Sequence, residues 1–92
     1  MGIIRSEDAS AGGLFLTTGT APGYLAGASL RAAAADATAT LRDGGAGGRI
    51  IGVLAAVTKT TDHLTPIGHV SYTGGVHVTI AGAGAEVILY GA

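Results

Sequence analysis

Residues 69–92, His69-Val70-Ser71-Tyr72-Thr73-Gly74-Gly75-Val76-His77-Val78-Thr79-Ile80-Ala81-Gly82-Ala83-Gly84-Ala85-Glu86-Val87-Ile88-Leu89-Tyr90-Gly91-Ala92, decide the fold class. Short apolar runs are separated here by glycine clusters, the pattern of β-strands joined by turns. Val76, Val78 and Ile80 alternate with His77 and Thr79, and Val87 and Leu89 alternate with Glu86, Ile88 and Tyr90. A period of two buries one side of each run and leaves the other to solvent. Thr73-Gly74-Gly75 reads as a tight hairpin turn, and the chain turns again at Ala81-Gly82-Ala83-Gly84.

Working upstream, residues 67–72 read as a strand and residues 58–66 as a polar connection long enough to reach outward. Residues 49–57 are continuously apolar after Arg49, which suits a strand buried on both faces or held against a partner. Asp43-Gly44-Gly45-Ala46-Gly47-Gly48 is a glycine-rich loop. In residues 37–42, Ala37, Ala39 and Leu41 face one way and Thr38, Thr40 and Arg42 the other. Residues 24–32 read as a further strand, with a loop near 34–36. Alanine, leucine and arginine over residues 25–35 are good helix formers, so a helix stays open there. Gly27, the Thr38/Thr40 pair and the lack of helical spacing oppose it.

Residues 19–23 form a turn around Pro22 and Gly23, preceded by a short strand at Leu14, Phe15 and Leu16. Residues 2–5 are an arm or a first edge strand, followed by a polar loop. The expected fold is all-β, a small antiparallel β-sandwich of about seven short strands. Residues 1–13 form its N-terminal arm or first edge strand, and residues 14–92 its single domain.

Composition narrows the function. A chain of 92 residues buries only roughly 60–65% of its unfolded surface, so its core alone confers modest stability. There is no cysteine for a disulfide or a thiolate zinc site, which leaves oligomerisation or docking as the common remedy. Charged residues are 12% of the chain, well under the about 25–35% of typical surfaces, so covering part of this surface would help its solubility. Arg5, Arg31, Arg42, Arg49 and Lys59 are scattered and form no basic stripe, which argues against nucleic acid. No apolar run approaches the ~20 residues of a membrane-spanning helix.

Residues able to carry chemistry are present but poorly arranged for it. His63, His69 and His77, with Asp62, make a conceivable metal site if a hairpin brings His69 beside His77. The spacing matches no ligand pattern, and surface histidines are the expected reading, with His77 pointing to solvent. Gly27-Ala28-Ser29-Leu30-Arg31 lacks the last glycine of a nucleophile elbow. No Lys-Ser/Thr follows the glycines of 44–48, so they form no phosphate cradle. No catalytic residue, metal ligand or cofactor is assigned. Aromatic residues are 4% of the chain and tryptophan is absent, which weakens a sugar-binding reading built on stacking platforms.

Four stretches together resemble a group of small tailed-phage virion structural proteins. They are Gly23-Tyr24-Leu25-Ala26-Gly27-Ala28-Ser29-Leu30, Ala37-Thr38-Ala39-Thr40-Leu41-Arg42-Asp43-Gly44, Gly75-Val76-His77-Val78-Thr79-Ile80 and Gly84-Ala85-Glu86-Val87-Ile88-Leu89-Tyr90. In that pattern the residue before Asp43 is more often aromatic, whereas here it is Arg42. The resemblance implies a non-enzymatic capsid decoration (cement) protein on the virion surface, made in the host cytoplasm. It would bind the outside of the assembled major capsid protein shell as a homo-oligomer, a trimer being the expected form. The alternatives are a tail or fibre accessory and a carbohydrate-binding sandwich. Polarity places the expected partner contacts on Ile3, Ile4 and Arg5 of the arm and on Leu64 and Pro66 of the 58–66 connection.

Overall fold

The period-two alternation of residues 37–43 and 86–91 gives each strand one face of leucine, valine and alanine, and two sheets bury those faces against each other. The computed structural model describes residues 5–9, 12–17, 22–64 and 70–91. Its strands are β1 (Arg5–Ala9), β2 (Gly13–Phe15), β3 (Pro22–Arg31), β4 (Ala37–Asp43), β5 (Ile50–Ala56), β6 (Thr61–Leu64), β7 (Val70–Thr73), β8 (Val76–Ala81) and β9 (Glu86–Gly91). One sheet has five strands in the order β1-β9-β3-β6, with β7 also on β3; the other has four, β2-β8-β4-β5. Every pairing is antiparallel.

The all-β sandwich expected from the sequence is the architecture found, with nine strands among the described residues rather than about seven. The extra strands lie where polar sequence suggested loops. Arg5–Ala9 pairs with β9, so the strand falls on residues expected to loop after position 5. Thr61–Leu64 pairs with Ala28 to Arg31 of β3, inside the expected polar connection. No helix forms over residues 25–35; β3 and β4 occupy that region, joined at residues 32–36.

The core draws on both layers. Leu25, Leu30, Val87 and Leu89 come from the five-stranded sheet, and Leu41, Leu54, Val76 and Val78 from the other, all essentially inaccessible to solvent. Burying each such side chain stabilises the fold by about 1.5–3 kcal/mol. Tyr72 is the largest fully buried side chain, and its hydroxyl donates to the Leu16 carbonyl oxygen at 2.9 Å. That bond ties β7 of one sheet to the residue following β2 of the other. Leu16 holds a φ of 50°, a left-handed backbone that disfavours a branched side chain, and burial of its isobutyl group offsets that cost.

A bulge explains why residues 24–32 lack a clean alternation. β3 pairs Leu25 with Gly91 but Gly27 with Tyr90, so Ala26 is extra. The inward set shifts from Gly23 and Leu25 to Ala28 and Leu30 across it. Gly91 sits against this bulge. A Cβ there would collide with the Tyr24 carbonyl oxygen and lie 2.9 Å from Leu16 Cδ1.

Gly74 and Gly75 do not close a hairpin. β7 belongs to the five-stranded sheet and β8 to the four-stranded one, so the pair carries the chain between layers. Both glycines have positive φ, 86° and 155°, which the sharp crossing requires.

Candidate interaction surface

The outer face of the four-stranded sheet is built from the positions that alternate with its core residues. Across one row the register sets Leu14 beside His77, His77 beside Arg42, and Arg42 beside Ile50. The next rows hold Thr79, Thr40 and Val53, then Ala81, Thr38 and Ala55. Leu14, Ile50, Val53 and Val57 are each between 45% and 62% exposed. Arg42 and His77 are the ionisable side chains of these rows, and Arg42 Nη1 is engaged by the Gly48 carbonyl at 3.1 Å. The result is a face of methyl groups and threonine hydroxyls over most of four strands. Large apolar side chains exposed on both edge strands of one sheet are a feature that contact with another macromolecule would cover.

The five-stranded sheet turns a different exterior outward. Ser29, Arg31, Thr61, Glu86 and Ile88 line a shallow depression of about 240 Å³. Arg31 Nη2 and Glu86 Oε1 pair at 2.8 Å there, with both side chains reachable by water. Such an exposed pair contributes about 0–1 kcal/mol. Tyr90 is 40% exposed, two residues beyond Ile88 on β9.

Three aspartates brace the sandwich by accepting backbone N–H groups from distant strands and turns. Asp43 Oδ1, at the end of β4, accepts from Thr73 at 2.8 Å, pinning the β4–β5 hairpin to the β7–β8 crossing. Asp36 Oδ1 accepts from the Thr58 N–H at 2.8 Å and the Thr58 hydroxyl at 3.0 Å, holding the β5–β6 turn. The Thr58 N–H first, and its hydroxyl second, hold the Asp36 carboxyl below its ordinary value. Asp62 Oδ2, from β6, accepts from Ala55 of β5 at 3.1 Å. These carboxylates serve the fold, and sequence reasoning missed that role because their donors lie up to thirty positions away.

The residues expected to meet a partner are not gathered into one patch. Arg5 opens β1 and pairs with Gly91; Leu64 closes β6 and pairs with Ala28. They lie on opposite edges of the five-stranded sheet, three strand spacings or about 14 Å apart. Ile3, Ile4 and Pro66 lie outside the described residues.

The histidines are separated as well. His63 is exposed on β6, His77 lies on β8 of the other sheet, and His69 is outside the described residues. His77 is half-buried rather than turned freely to solvent, with Nδ1 shielded from water and without a hydrogen-bond partner among the described residues.

The apolar run of 49–57 is not buried on both faces. β5 is an edge strand that buries Leu54 and Ala56 while exposing Ile50, Val53 and Ala55. This surface was therefore present in the sequence only as an apolar run, with nothing local to say which face stays open. No family model, curated protein or solved structure matches the chain.

Proposed function

We propose that this protein is a non-enzymatic structural component of a phage virion, a capsid decoration (cement) protein that binds the outside of the assembled major capsid protein shell. The observation that carries this reading is the exposed apolar outer face of the four-stranded sheet, with Leu14, Ile50, Val53 and Val57 at its surface. The resemblance of residues 23–44 and 75–90 to small virion proteins names the kind of partner. A small core without disulfides supports an oligomer, a trimer on this proposal, whose copies reinforce one another through effective concentration. A protein that binds only the closed shell stabilises it by mass action.

Ile3, Ile4, Arg5, Leu64 and Pro66 are the proposed secondary contacts. Arg5 and Leu64 lie on opposite edges of the five-stranded sheet, a separation that suits contact with two different shell neighbours. The test is co-sedimentation with empty shells of the same virus and, separately, with unassembled major capsid protein. Retention on shells alone is expected; no retention, or equal binding to unassembled subunits, would reject the reading.

A second reading has its own observation. The depression lined by Ser29, Arg31, Thr61, Glu86 and Ile88, with Tyr90 exposed on the same sheet, offers hydroxyl and charged groups beside apolar surface, as a sugar on a tail or fibre accessory would need. Specific retention on a glycan array, lost in Tyr90→Ala, would favour it over the capsid assignment.

A further inference from the structure

One cross-strand pair on the outer face of the four-stranded sheet differs from its surroundings. Arg42 on β4 stands opposite His77 on β8, with Leu14 beyond His77 and Ile50 beyond Arg42. The neighbouring rows carry threonine, alanine and Val53. Directly opposite residues share a face with Cβ atoms about 4.5–5.5 Å apart, so the pair forms one polar spot within an uncharged field.

Both members offer donors, and neither has an acid to meet. Arg42 Nη1 donates to the Gly48 carbonyl oxygen at 3.1 Å, which steadies the guanidinium without neutralising it. Asp36, Asp43, Asp62 and Glu86 are engaged elsewhere: by Thr58, by Thr73 and Arg49, by Ala55 and His63, and by Arg31. Glu7 and Asp8 belong to β1 of the other sheet, and Arg42 has no ion pair among the described residues. His77 Nδ1 is shielded from water and has no hydrogen-bond partner among them. A proton on that nitrogen would be a buried donor with nothing to meet, so the neutral ring carries its proton on Nε2. The spot therefore presents a guanidinium beside an imidazole N–H.

Covering this face with apolar surface alone would strip water from Arg42 and return nothing, which is strongly unfavourable. A fitting partner must bring an acceptor, and a carboxylate restores most, because a guanidinium binds it through two parallel bonds. A phosphate-bearing polymer calls for many cations, whereas Arg42 is the one fixed cation of these rows. Exposed Leu14, Ile50 and Val53 surround it with apolar groups. One charge within apolar side chains is the complement of a single acidic residue set in a protein surface. We infer that Arg42 and His77 form the receptor for an aspartate or glutamate side chain of the protein that docks on this face. The inference rests on the proposed docking to a shell and adds what selects the partner, a carboxylate among apolar groups.

Two measurements test it. On assembled shells, Arg42→Gln should weaken retention about tenfold or more, and Arg42→Lys, which keeps the charge but not the fork, should fall between it and wild type. Retention of Arg42→Gln equal to wild type would overturn the inference and leave the docking proposal standing. Where wild type itself is not retained, the docking proposal fails and the receptor is judged on the free protein. There, titration with isovalerate, a carboxylate on an apolar tail, should give saturable NMR shifts at the Arg42 Nε–H and the His77 ring, with exposed His63 unmoved. Isovaleramide, its uncharged counterpart, should give none. No saturable shift, equal shifts from the amide, or an equal response at His63 would overturn the inference. Inorganic phosphate saturating the same signals at lower concentration would overturn it in favour of a phosphate-bearing partner.

Discussion

On the outer face of the five-stranded sheet, Arg31 pairs with Glu86 beside Ser29, Thr61 and Ile88, while the outer face of the four-stranded sheet carries Leu14, Ile50 and Val53 among threonines and alanines, with Arg42 and His77 between them. The inner faces show no such contrast. Leucine and valine from both sheets meet in one core, with Leu25, Leu30, Val87 and Leu89 on one side and Leu41, Leu54, Val76 and Val78 on the other. Folding thus asks the same of both layers, and their exteriors are free to diverge. Core packing does not explain an apolar exterior, because the side chains that form it contribute nothing inward. On the proposed function, the divergence follows from docking through one exterior and not the other.

The strongest way to break this comparison is to show that the two layers do not share one interior. Gly91→Ala inserts a methyl group against the Tyr24 carbonyl and the Leu16 side chain, at the junction of both layers. It should lower stability by about 1–3 kcal/mol in a single denaturant transition. Two separated transitions would mean that the sheets unfold independently. Tyr72→Phe removes the hydroxyl that reaches Leu16 across the sandwich and should cost about 0.5–1.5 kcal/mol by the same measurement.

Smaller effects sharpen the account of how the layers are joined at their ends. Lys59 lies in the β5–β6 turn with a φ of 64°, so Lys59→Gly should raise the thermal midpoint, by at most about 1 kcal/mol of stability. Asp36 holds the same turn from outside and is exposed. Its folded pKa lies below the unfolded value of 3.8, so its stabilising contribution is present above that value and lost as pH falls through the folded one. Asp36→Asn should therefore show a smaller loss of stability than wild type on acidification below about pH 4, measured as denaturation midpoints across a pH series.

Much of the fold was legible where burial is one-sided and local. The alternations at 37–41 and 86–90 place Ala37, Ala39, Leu41, Val87 and Leu89 inside, as found. β6 was not legible, because Thr61-Asp62-His63-Leu64 has no strand signature of its own and is ordered by pairing with β3. The Gly74-Gly75 crossing was misread for a related reason. Two glycines permit either a hairpin or a change of sheet, and only the distant pairing of β7 with Pro22 to Leu25 decides between them. The bulge at Ala26 hid the phase of β3 from any fixed period. For the candidate surface, the sequence showed an apolar run at 50–57, but its exposure depends on β5 lying at an edge.

The most direct measurement sets the two exteriors against each other on assembled shells, using wild type, Val53→Glu and Arg31→Ala. Both side chains are exposed, so each substitution should leave folding stability within about 0.5 kcal/mol of wild type. Docking through the four-stranded sheet requires that Val53→Glu weaken shell binding at least tenfold while Arg31→Ala binds as wild type does. Undiminished binding by Val53→Glu, or a loss confined to Arg31→Ala, would contradict it and move the contact to the opposite face.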